Sequence, residues 1–172
     1  MNAGFVLPDL LADDLDVVFC GTAAGKASAA AKAYYAHRGN RFWWALHQAG
    51  LTERQLAPAE FPLLLGRRLG LTDLAKHVSG NDDQIAPQHF DAAALTRKIE
   101  RHRPAILAFT SKAAARAYLR VKRVEYGLQP AMLGRTRVFV LTSPSGAASA
   151  SWRLDPWREL AALRCSLLAA GT

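Results

Sequence analysis

Cysteine is scarce in this chain: among 172 residues there are only Cys20 and Cys165. They form no Cys-x-x-Cys pair and no group of four, so a zinc or iron–sulfur centre built on cysteine has no support. Unpaired thiols fit a reducing compartment. The histidines are scattered without metal-ligand spacing, and neither a metal nor a cofactor is expected. No serine stands in a Gly-x-Ser-x-Gly elbow, which argues against a hydrolase of that type. Long apolar runs are also missing, so no membrane span and no membrane partner are expected. The N-terminus lacks a basic leader, and Asp9, Asp13, Asp14 and Asp16 interrupt its apolar residues. A secretory signal is not expected, and the cytoplasm is the expected location. Acidic residues are few as well: 14 Asp and Glu face 22 Lys and Arg, a net charge of +8. Such an imbalance favours an anionic partner, nucleic acid first, over a basic surface kept for solubility alone.

What is present suits a single domain spanning residues 1–172. Half of the residues, 51%, are hydrophobic, enough for a sizeable core. Short apolar runs near 17–20, 71–75, 105–109 and 137–141 read as strands. Between them lie helical patterns. Asn40 reads as the N-cap of a helix stopped by Gly50. Pro58 opens a short helix through Leu65. Pro87 opens a helix of about four turns that Pro104 ends. Ser111 starts a helix from Lys112 to Leu119, and an amphipathic helix runs from Leu154 to Ala170. Strands alternating with helices predict an α/β fold with a mostly parallel sheet of four to five strands. Residues 21–28 and 142–149 are loops of small residues that follow predicted strands. Ligands of parallel sheets bind at carboxyl ends, so these two loops are the expected walls of one pocket.

The first of these loops, Gly21-Thr22-Ala23-Ala24-Gly25-Lys26-Ala27-Ser28, has a phosphate-loop look. It is one residue short between its glycines, and Ala27 stands where a Ser or Thr should follow the lysine, which argues against nucleotide hydrolysis. Backbone amides with Lys26 and Ser28 could still hold a phosphate of a nucleic acid backbone.

The chain resembles a known family. Val17-Val18-Phe19-Cys20-Gly21, then Gly25, and Ala36-His37-Arg38-Gly39-Asn40-Arg41-Phe42-Trp43 resemble the first motif region of mismatch-specific uracil-DNA glycosylases and thymine-DNA glycosylases. Gln48-Ala49-Gly50-Leu51-Thr52, Gly70-Leu71-Thr72-Asp73-Leu74 and Val138-Phe139-Val140-Leu141 with Ser143-Pro144-Ser145-Gly146 continue the resemblance in order. It implies a three-layer α/β/α sandwich of the uracil-DNA glycosylase superfamily. It also implies a monofunctional enzyme of base excision repair, which flips uracil from DNA and hydrolyses its N-glycosidic bond. The implied partner is DNA carrying uracil or an abasic site, met by a monomer at the nucleoid.

The resemblance carries over residue by residue. Tyr35 matches the aromatic that stacks on the flipped base; as residue type alone it reads equally as a core tyrosine. Asn40 matches a helix-start asparagine. Gly21, Thr22 and Ala23 belong to the base-binding loop. Lys26, Ser28, Ser145, Gly146 and Ala147 are expected at the DNA strand. Two departures stand out. The family pattern at the first loop is Gly-x-Asn-Pro-Gly, whose asparagine positions the attacking water; here the position is Ala23. In the last motif Ser143 replaces the leading asparagine, and Ala147 replaces the bulky wedge that fills the space of the flipped base. Either the chain binds damaged or abasic DNA without catalysis, or another group activates water. Asp73, at the carboxyl end of a predicted strand, is the candidate, with Ser143 assisting; the plainer alternative for Asp73 is a loop cap or a partner of Arg67 or Arg68.

Overall fold

A computed structural model describes residues 3–171. Its centre is a five-stranded sheet with strands β1 (Val17–Ala24), β2 (Leu69–Ser79), β3 (Ile106–Phe109), β4 (Gly127–Leu133) and β5 (Thr136–Val140) in the order β2-β1-β3-β5-β4. All pairings are parallel except that of β4 with β5. β1 and β3 are covered on both faces, which is why their sequences read as unbroken apolar runs. Alternating side chains divide the core. Phe19, Ile106, Ala108 and Phe139 face one layer, formed by α2 (Phe42–Gln48) and α5 (Asp155–Ala170). Val18, Cys20, Leu107, Phe109 and Val138 face the other, formed by α3 (Ala92–His102) and α4 (Lys112–Leu119). The three-layer sandwich with a mostly parallel sheet is as expected.

Several boundaries differ. β1 runs four residues beyond the expected strand, so Gly21 to Ala24 are extended chain paired with β2 rather than loop. The loop proper is reduced to Gly25, which leads into the short helix α1 (Lys26–Ala31). The helix expected from Pro87 begins at Ala92. Pro87–His89 is one separate turn of 3-10 helix, and Asp91 caps α3 by accepting from the Ala94 amide at 2.8 Å. Pro58–Arg67 is likewise a 3-10 helix. Asn40 is not the cap of α2. Arg41 holds that position, and Asn40 Oδ1 accepts from the Phe42 amide at 2.9 Å, just inside the helix.

β4 has no counterpart among the expected strands. It is an exposed edge whose pairing with β5 shifts register between Leu128 and Met132, around Pro130. A proline removes one ladder donor and hides such a strand from pattern reading.

Candidate active site

The site is built where β1 outruns β3. β3 ends at Phe109, opposite Cys20, and the Thr110 amide donates to Cys20 O. From Gly21 onward β1 keeps its partner β2 on one edge only, and the other edge borders a cavity of about 710 Å³. That volume lies within the usual range for a small-ligand pocket. Residues 143–148 close the opposite wall. That wall packs on residues 39–41: the Arg41 amide donates to Pro144 O at 2.8 Å, and a side chain on Gly146 would lie 3.2 Å from Gly39 O.

The floor of the cavity lies above Gly21. A methyl group there would stand 2.8 Å from Asp73 Oδ1, 3.3 Å from the Tyr35 hydroxyl and 3.4 Å from Thr110 Oγ1. Glycine thus leaves open the point where three oxygens converge. Asp73 reaches it because the parallel register sets it directly beside Gly21. Tyr35 reaches it through a backbone at φ +52, unusual for a bulky side chain and a form of local strain that collects at functional sites. Its hydroxyl and Thr110 Oγ1 are 3.1 Å apart, and its ring stacks on Phe42 with centroids separated by 4.0 Å.

Asp73 is 5% exposed. Burial pushes its carboxyl up to about 6; Lys76 opposes that shift, Asp9 adds to it and Lys98 opposes it. These groups form a buried charge network. Lys76 Nζ lies 3.1 Å from Asp9 Oδ1 and 4.0 Å from Asp73 Oδ2, and it donates to the Tyr34 hydroxyl at 3.1 Å. Lys98 Nζ meets Asp9 Oδ2 at 2.7 Å, and Thr72 Oγ1 donates to Asp9 Oδ1 at 2.7 Å. Asp9 is held below its ordinary value: burial would raise it, but Lys76, Lys98 and Thr72 together outweigh burial. Lys76 is therefore engaged more closely by Asp9 than by Asp73. Asp73 makes neither the loop cap nor the pairing with Arg67 or Arg68 considered from sequence: Arg67 pairs with Glu53 and Arg68 with Asp16.

Every residue singled out from sequence lines this one cavity: Gly21, Thr22, Ala23, Lys26, Ser28, Tyr35, Asn40, Asp73, Ser143, Ser145, Gly146 and Ala147. Their surroundings differ. Ser28 is buried, and its Oγ accepts from the Ala36 amide at 3.0 Å, bracing the Tyr35 turn on α1. Ser143 Oγ accepts from the Ser145 amide at 3.3 Å, and Ser145 Oγ from the Ala147 amide at 3.3 Å. Ala147 is exposed at the rim.

Among the other lining residues, Thr110 and Asp82 stand out. Thr110 follows the apolar run of β3, and the strand-end reasoning that selects Asp73 would have found it. Asp82 accepts a hydrogen bond from the Thr22 hydroxyl across 60 residues of sequence. Nothing local in the polar 79–86 segment marks that contact.

A parallel sheet that opens at its carboxyl ends into a cleft is the architecture of α/β proteins that take their ligand there. The family is more specific. Residues 8–164 match the Uracil DNA glycosylase superfamily, and the chain belongs to it. In fold the chain is similar to a candidate uracil DNA glycosylase from Methanosarcina acetivorans whose solution structure is known by NMR. The TM-score is 0.64 at 19% identity, over 92% of this chain and 94% of that one.

Proposed function

We propose that the protein is a monofunctional DNA glycosylase that removes uracil from DNA by base flipping. The observation that carries this reading is the convergence of the buried Asp73 carboxyl, the Tyr35 hydroxyl and Thr110 Oγ1 on the open space over Gly21, on the floor of a cavity of small-ligand size. The reading places the flipped uracil against Tyr35 and along the free edge of Gly21, Thr22 and Ala23. Asn40 holds the helix-start wall beside the base. Lys26 on one wall, with Ser145, Gly146 and Ala147 on the other, borders the DNA strand; the buried Ser28 acts behind it by bracing the Tyr35 turn, and Ser143 helps to place water.

In the reaction the water oxygen bonds to C1′ of the deoxyribose. The C1′–N bond breaks, and its electron pair leaves with the base. The Asp73 carboxylate accepts the water proton, and its negative charge stabilises the cationic sugar that develops meanwhile. Asp73 takes over the role for which Ala23 has no side-chain group. The narrower kinship, with the mismatch-specific and thymine-DNA glycosylases, rests on the motif resemblance.

The direct test is release of uracil from single- and double-stranded uracil-containing DNA by the purified protein. Release is expected, and its absence across broad conditions overturns the reading. Ala23 itself favours a second reading, a non-catalytic binder of damaged or abasic DNA. Tight, salt-sensitive binding of such DNA without base release would decide for it.

A further inference from the structure

The opposite end of the sheet carries a second cavity, of about 530 Å³, lined by arginines. It lies where β3 and β5 begin, beneath the last turns of α5. Leu15, Ile106 and Leu167 form apolar wall, and Arg68, Arg103, Arg135, Arg137 and Arg164 supply charge. The five guanidiniums are not equivalent. Arg68 and Arg164 both donate to the buried Asp16 carboxylate, at 2.8 and 2.9 Å, and are spent on that contact. Arg103, Arg135 and Arg137 have no carboxylate partner among the described residues. Asp14 is the other acid in the lining.

Three separate segments bring these arginines to the cavity. Arg103 follows α3 in a left-handed conformation, φ +49, immediately before Pro104. Arg135 sits in the turn between the paired ends Leu133 and Thr136 of the β4–β5 hairpin. Arg137 is half-buried in β5, where two-residue alternation puts it on the face of Phe139. Three guanidiniums with no carboxylate partner among the described residues, beside an apolar wall, have the chemistry of a phosphate site with room for an organic group. A duplex would meet a surface, whereas this is a concave pocket of small-ligand size.

We propose that this pocket binds a small phosphorylated ligand through Arg103, Arg135 and Arg137. It is separate from the candidate active site by the length of β3, about 13 Å for four residues. The proposal does not depend on uracil being the substrate.

The test titrates inorganic tripolyphosphate, ATP and a uracil-free DNA duplex into the full chain by calorimetry, with the melting temperature of each variant checked by circular dichroism. Tripolyphosphate and ATP are expected to bind saturably. Arg103→Gln with Arg137→Gln should weaken both at least about tenfold, because charge-assisted contacts are lost. Arg135→Gln, in an exposed turn, should weaken them about threefold without unfolding the sheet. Lys26→Gln, which removes a cation from the other cavity, should leave both affinities unchanged. Absence of saturable binding of either small anion, binding of the duplex alone, or a loss caused by Lys26→Gln and not by the arginine variants would overturn the proposal.

Discussion

Asp73 sets two opposed expectations at the scale of single residues. As a general base it works ionised, so uracil release should rise with pH through about 6 and level off above it. Stability should run the other way. The folded protein holds the Asp73 proton more tightly than the unfolded chain, whose carboxyl titrates near 3.8. Its contribution is fully present below 3.8 and is lost as pH rises through 6. The loss is about 3 kcal/mol. Asp73→Asn should therefore be more stable than wild type at neutral pH in urea denaturation, with the gap closing near pH 4. The same variant should be slower by at least about tenfold, since general-base assistance supplies ~10²–10⁴. A variant as fast as wild type rejects the assignment. Gly21→Ala tests the space rather than the charge. Its methyl group would meet Asp73 Oδ1 at 2.8 Å, so one of the two must move. An expected loss of about tenfold in kcat, with stability also reduced, follows from displacing a reacting group by a fraction of an ångström.

Elements carry the site by keying its walls to the core. Trp157 of α5 is fully buried and donates through Nε1 to Thr142 Oγ1 at 3.0 Å and to Thr142 O at 3.2 Å. Thr142 Oγ1 in turn donates to Arg153 O at 2.6 Å. One indole therefore fixes the start of the 143–148 wall. Trp157→Phe removes that donor and part of the ring, and should cost about 1–3 kcal/mol in denaturant melts, with a larger loss of DNA affinity than the stability change alone explains. The same scale shows what could be read from sequence. β1 and β3 were legible because both faces are covered and the apolar run is unbroken. β4 was not, because Pro130 and an exposed edge leave no run to read. The extension of β1 through Gly21 to Ala24 was illegible for a different reason: small residues look like a loop, and only pairing with β2 makes them strand. The buried network of Asp9, Lys76 and Lys98 needed the fold, since its members lie on three separate segments.

Across the whole molecule, the strand-end rule gathered the site even where local detail differed. Residues from four stretches, around 21–28, 35–40, 73 and 143–147, line one cavity because the parallel sheet delivers its carboxyl ends to one rim. The net charge of +8 adds a property of the molecule rather than of the site. Binding to uracil-free duplex should be electrostatic. If about four phosphates are neutralised, raising salt from about 50 to about 200 mM should weaken binding about a hundredfold, measured by fluorescence anisotropy. A flat salt response would separate the charge from DNA recognition.

Under the proposed function, Asp73, set over Gly21, activates water for removal of uracil. The measurement that reaches it is the single-turnover rate of uracil release from a uracil-containing oligonucleotide, for wild type and Asp73→Asn, from about pH 5 to about pH 8. The expected result is a wild-type rate that climbs to a plateau with a midpoint near 6, and a slower Asp73→Asn rate without that step. A wild-type rate indifferent to pH, with Asp73→Asn releasing uracil equally fast, would contradict it.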